Sequence, residues 1–209
     1  PQHSVIDNLS TTVAVLSVTE ILAVALAVAY LVLVIRQNIL CWPAQLLSSC
    51  LYMGLFFTAR LYMESVLQVF YASMAVYGWR QWRYGGEKSS GVRIHVWSFG
   101  QHFIALIGIL GVSMLLGWGM SHTGAAFPYA DSFTTVAAIL ATYMVARKVL
   151  ENWIYWFVID SISIYLYVAR ELYLTALLFF LYIILIFIGF RSWWRDYQNS
   201  SSCIQVGHV

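Results

Sequence analysis

The sequence predicts an all-α polytopic membrane protein: seven transmembrane helices in a 3+1+3 arrangement, with two parallel three-helix repeats on either side of a linker helix. Three observations predict it. The 209-residue chain is 61% hydrophobic and only 10% charged, less than half the charged share usual in a soluble domain. Cutting at charges and helix breakers leaves seven apolar stretches, each long enough at about 1.5 Å per residue to cross hydrocarbon roughly 30 Å thick. The chain also superposes on itself, without a gap, at a shift of 111 residues.

The stretches cover residues 12–35, 40–60, 64–82, 94–118, 128–147, 150–169 and 172–192. The first has no basic head ahead of a short apolar core, so it is expected to stay in the protein rather than be cleaved. Trp42-Pro43 marks the start of the second, because proline suits a first helical turn. The third carries Gln68 and Tyr71 and ends on YGWRQW. Its Tyr77, Trp79 and Trp82 are expected to lie in an interfacial aromatic belt. The fourth opens on SFGQH and has no repeat partner. FPYADS introduces the fifth, with Pro128 ending the loop and beginning the helix. The sixth holds ENWIYWFVID and the seventh holds Tyr173 and Tyr182. Cys41 and Cys50 read as small buried apolar residues, since the three cysteines show neither metal spacing nor an even framework. The domain boundaries follow: 1–93 for the first repeat and its cytoplasmic loop, 94–127 for the linker helix and outer loop, 128–197 for the second repeat, and 198–209 for a flexible C-terminal tail.

In the repeat, Glu20 meets Asp131, Arg36 meets Arg147, Trp42 meets Trp153, Tyr71 meets Tyr182, Gly78 meets Gly189 and Trp82 meets Trp193. A unit of three spans reverses side, so the unpaired fourth span is what makes the two repeats parallel, and their facing surfaces become the expected substrate site. Arg36, Arg80, Arg83, Lys88, Arg93, Arg147, Lys148, Arg191 and Arg195 fall on one side of such a topology, Arg60 and Arg170 on the other. This asymmetry puts the C-terminus in the cytoplasm and the N-terminus outside. No basic run is dense enough for nucleic acid.

Trp153, Trp156 and Asp160 fall at i, i+3 and i+7, one helical stripe, with Asn152 just ahead. The shift lays them over Trp42, Gln45 and Ser49. Such a seam offers indoles for stacking a flat, partly cationic substrate and a carboxylate to balance its charge. A carboxylate in hydrocarbon is costly, so Asp160 is expected to face the bundle interior or water; a packed, protonated acid is the competing structural reading. Trp153 also suits an interfacial anchor. Gln68 can donate and accept, and Tyr71, Gln101, Tyr167 and Tyr182 complete the candidate substrate-binding set. His102 is a further polar wall candidate without metal-site spacing. Glu20 and Asp131 read as structural acids at helix ends rather than as a catalytic pair. No P-loop, zinc-protease motif, nucleotide fingerprint or serine elbow occurs, so neither a cofactor, a metal nor an enzymatic activity is expected.

The glutamate early in span one, NILCWP at 38–43, QVFYASMAVYGWRQW at 68–82 and NWIYWFVIDSISIYLY at 152–167 together resemble the PnuC-type bacterial vitamin transporters, nearly from Thr19 to Trp193. The resemblance implies a SWEET-like fold and facilitated diffusion of nicotinamide riboside across the bacterial inner membrane by alternating access. It further implies trapping through phosphorylation by a cytoplasmic nicotinamide riboside kinase, and a homotrimer in the lipid bilayer. Relatives in that family carry thiamine or riboflavin, so another flat vitamin is the alternative substrate; a channel or a membrane assembly module are the alternatives of other classes.

Overall fold

The computed structural model describes residues 18–58, 62–86, 91–122, 127–169 and 173–206. Arg60, Lys88 and Arg170, used for the orientation above, lie outside the described residues. Among the described residues seven α-helices follow in order: α1 (Val18–Ile35), α2 (Cys41–Thr58), α3 (Tyr62–Tyr84), α4 (Phe99–Ser121), α5 (Pro128–Ala146), α6 (Asn152–Ala169) and α7 (Tyr173–Val206). Three regions among the described residues, α1, α4 and the Ala176–Ser200 part of α7, are long and apolar enough to cross a membrane by length and composition alone. The protein is therefore an all-α polytopic membrane protein.

The chain divides into two compact units, Pro1–Trp79 and Arg80–Val209. In the first, α1 packs along α2. The Ser48 hydroxyl donates to the Ala23 carbonyl at 2.9 Å, and that of Ser65 to the Met53 carbonyl at 3.0 Å. These short hydroxyls satisfy themselves on a neighbouring helix while letting backbones approach, the usual currency of helix packing in hydrocarbon. α1 ends in a Schellman turn. Gln37 takes a left-handed conformation with φ 51°, its N–H donates to the Val34 carbonyl, and the Asn38 N–H reaches back to Leu33, both at 2.9 Å.

In the second unit α4 packs on α5, α5 on α6, and α6 on α7. α4 opens with a capping box: Ser98 accepts from the Gln101 N–H while the Gln101 side chain accepts from the Ser98 N–H. Pro128 sits at the first position of α5, as the sequence predicts, behind a left-handed Phe127. Alanines 137, 138 and 141 of α5 meet Ile109 and Ile159 in a buried cluster, with Phe133, Tyr155 and Trp156 packed against it. α5 ends as α1 does. Lys148 has φ 54°, its N–H donates to Val145 at 3.0 Å, and the Val149 N–H returns to Met144 at 2.9 Å.

Several expectations are corrected. α4 begins at Phe99 rather than near residue 94, because the preceding segment is extended: the His95 N–H donates to the Lys148 carbonyl and the His95 carbonyl accepts from Leu150. Backbone pairing with the α5–α6 connector thus replaces a helical turn that hydropathy alone would have drawn. Cys41 is buried but Cys50 is exposed, since a small apolar residue is as comfortable against lipid as against protein. Trp82 is buried rather than a belt residue. Its indole N–H donates to the Val145 carbonyl at 3.2 Å, and the Lys148 ammonium lies 4.5 Å from its ring centroid. Apart from these corrections, the Cys203 side chain lies outside the described residues, as do residues 207–209 of the expected tail, and α7 runs to Val206.

Candidate functional site

In the first unit, Trp42 occupies the first turn of α2 and is 1% exposed. Its indole lies flat on Gly78 of α3, where a Cβ would collide with ring atoms, and Tyr30 tilts against it at 6.1 Å. Gln45 and Ser49 follow on the same face, and the Gln45 amide donates to the Ser49 hydroxyl at 3.2 Å. Gln68 and Tyr71 are half-buried on α3, with Tyr71 edge-on to Phe70.

In the second unit, Trp153 occupies the first turn of α6 and is 2% exposed. Gly189 of α7 receives its indole, and Trp193 meets it edge-on at 5.5 Å. Asn152 is fully buried, its amide donating to the Val149 carbonyl at 2.6 Å. Among the described residues its carbonyl oxygen and the Trp153 indole N–H have no hydrogen-bond partner. Trp156, one turn on, is half-buried against the α4–α5 cluster. Asp160 is 4% exposed; among the described residues no hydrogen bond or ion pair reaches its carboxylate. Toward the other end of α6, Tyr167 tilts on Phe179 at 5.0 Å, and Phe179 on Tyr182 at 5.5 Å.

The stripe read from sequence is therefore differentiated along its length. Trp153 is locked into helix packing, Trp156 is partly available, and Asp160 is a buried carboxylate without a described partner. Gln101 is exposed and occupied in the α4 capping box. Glu20 and Asp131 both lie in first turns, of α1 and α5, at the positive end of the helix dipole. Sequence reasoning missed a cluster at the start of α4 and α6. The Glu151 carboxylate accepts from the Trp97 N–H at 3.3 Å and lies 3.7 Å from His102 Nε2, while His102 Nδ1 is 3.0 Å from the Tyr155 hydroxyl. Glu151 and Tyr155 are spaced i, i+4, which was the available signal; the 53-residue separation of His102 and Tyr155 hid the rest. Among the described residues no group of His, Cys, Asp and Glu is arranged to hold a metal.

An all-α bundle with helices apolar enough to span a bilayer defines a polytopic helical membrane protein. The chain belongs to the nicotinamide mononucleotide transporter family, whose model matches residues 17–195. It is 27% identical to the riboflavin/roseoflavin transporter RibM of Streptomyces davaonensis, over 82% of this chain and 82% of that protein. It is 28% identical to the nicotinamide riboside transporter PnuC of Escherichia coli, over 71% and 73% of the two chains. The crystal structure of the vitamin B3 transporter PnuC shares its fold, with a TM-score of 0.65 at 21% identity, covering 85% of this chain and 81% of that one.

Proposed function

We propose that this protein transports nicotinamide riboside by facilitated diffusion across the bacterial inner membrane. In this reading all seven helices span the bilayer as 3+1+3 with a SWEET-like fold, N-terminus outside and C-terminus cytoplasmic. The two three-helix repeats rock about a midplane site that opens alternately to either side. A cytoplasmic nicotinamide riboside kinase makes uptake directional by trapping the product, and the protein works as a homotrimer.

One observation carries the choice of substrate: Asp160 is a buried carboxylate with no bonded partner among the described residues. A carboxylate removed from water needs a counter-charge or a proton, and a pyridinium ring supplies the counter-charge. Trp156 is the stacking ring in this reading. Trp153 and Asn152 hold the first turn of α6 behind it, and Trp42 does the same for α2. Gln45, Gln68, Tyr71, Tyr167 and Tyr182 complete the polar and aromatic contacts, of which Gln68 and Tyr71 are the first to test against the ribose and carboxamide; Gln101 joins them only by leaving its capping box. The phosphorylated product is excluded because its dianion would face Asp160.

A second reading rests on the riboflavin/roseoflavin transporter, whose match extends over more of the chain. Asp160 discriminates the two, because the flavin ring is uncharged. The experiment is isothermal titration of purified protein with nicotinamide riboside, thiamine, riboflavin and nicotinamide mononucleotide, repeated for Asp160→Asn and Trp156→Ala. Riboside binding weakened in both variants, with no mononucleotide binding, supports the proposal. Riboflavin binding insensitive to Asp160→Asn replaces it with the flavin reading, and tighter thiamine binding replaces the substrate alone. A saturable signal for none of the four in folded protein transfers the weight to a channel or a membrane assembly module.

A further inference from the structure

The second unit contains a cavity of about 350 Å³ between α4, α5 and α6, within the size range of small-molecule sites. Its walls are Leu106 and Ile109 of α4, Phe133 and Ala137 of α5, and Ile154, Val158 and Ile159 of α6. Leu106, Ile154 and Val158 are 47%, 51% and 41% exposed. The cavity therefore opens sideways, along the helix flanks, and in a membrane protein that side is hydrocarbon. Water has no reason to fill a chamber with apolar walls, and an empty one forfeits the dispersion contacts of its lining.

The remaining lining residues are polar and sit at one end. His102, Glu151 and Tyr155 all lie within about one turn of the starts of α4 and α6. Those starts are at the same end of the unit, because the extended segment before α4 pairs with the connector before α6. The polar cluster is thus at the level where a bilayer changes from acyl chain to headgroup. Its acceptor is a carboxylate. One Glu151 oxygen accepts from the Trp97 N–H, while among the described residues the other meets only His102 Nε2 at 3.7 Å, too long for a hydrogen bond. That oxygen retains acceptor capacity for a cationic donor.

We infer that this cavity is a lateral lipid site that takes an acyl chain of phosphatidylethanolamine, with the headgroup ammonium donating to Glu151. The cavity is too small for a whole diacyl lipid, so the second chain lies along the exposed flank of α4. A phosphatidylglycerol of the same chains matches the apolar walls but brings no cation to Glu151.

Native mass spectrometry of the full chain, released from vesicles containing equal phosphatidylethanolamine and phosphatidylglycerol with identical acyl chains, tests the inference. Retention of phosphatidylethanolamine over phosphatidylglycerol by about tenfold or more is expected. Glu151→Gln removes the headgroup preference while leaving the chain contact, and Leu106→Trp, placed on a half-exposed wall, removes retention of both lipids. Circular dichroism and unfolding midpoints of both variants establish that they are folded. Equal retention of the two lipids by the unaltered protein overturns the inference, as does a preference that survives Glu151→Gln. Release of bound lipid by a vitamin would assign the cavity to substrate instead. An oligomeric mass that disappears with Leu106→Trp would assign it to a second copy of the chain.

Discussion

The connector between α1 and α2 and the one between α5 and α6 are the same piece of backbone built twice. Gln37 and Lys148 hold the same left-handed turn, the same carbonyls accept the same N–H groups 111 residues apart, and each connector delivers a tryptophan onto a glycine of the next helix. The side chains beyond that skeleton diverge. Cys41 becomes Asn152, and the mutually bonded Gln45 and Ser49 become Trp156 and a buried Asp160 without a described partner. Packing was kept in both copies because a helix pair needs it wherever it stands. Polar chemistry satisfied itself in one copy and has no described partner at the matching position of the other.

The largest expected effect tests the shared packing. Trp153→Ala removes an indole from full burial and is expected to cost roughly 3 kcal/mol, read as a lowered unfolding midpoint in detergent; Trp42→Ala should cost a similar amount. A large loss in one and none in the other would break the equivalence. The glycines follow. A methyl at Gly78 or Gly189 would occupy space held by the indole, so Gly189→Ala is expected to destabilise by about 1–3 kcal/mol. Combining it with Trp153→Phe, whose smaller ring makes room, should recover part of that loss, and additive losses would show that the contact is not the cause.

The chemical difference is sharpened by a pair of binding measurements. Asp160→Asn is expected to weaken nicotinamide riboside binding by about tenfold or more, equivalent to about 1.4 kcal/mol. Ser49→Ala, at the matching position of the first unit, should change it by less than about threefold, because its hydroxyl already has Gln45 as a partner. Comparable losses by titration calorimetry would mean that the two faces contribute alike. The smallest effect has the opposite sign. Gln37→Gly relieves a left-handed side chain and should stabilise by about 1 kcal/mol. Lys148→Gly should stabilise less, because it also removes an ammonium stacked on Trp82, a contact worth about 0.5–1 kcal/mol. Equal shifts in unfolding midpoint would show that the cation over the ring adds nothing.

The sequence by itself determined that the chain is a helical membrane protein and where its seven apolar stretches lie, and it matched the two connectors, 111 residues apart, that share one turn. Those properties reside in composition and spacing, and α2, α5 and α6 fall within two residues of the stretches that predict them. It also pointed to Asp160, because a lone carboxylate in an apolar helix stands out without any knowledge of its neighbours. Tertiary structure alone decided that Trp153 is packed on Gly189 while Trp156 stays partly open, that Trp82 is buried, and that Cys50 faces outward. It also decided that residues near 94 form an extended pairing with the α5–α6 connector, and that Glu151, His102 and Tyr155 gather at one end of a cavity. The physical reason is the solvent. In water, polar and apolar alternation reveals which side of a helix faces inward; in hydrocarbon both sides are apolar, and the inward face is set by shape, which is legible only once the neighbouring helix is present.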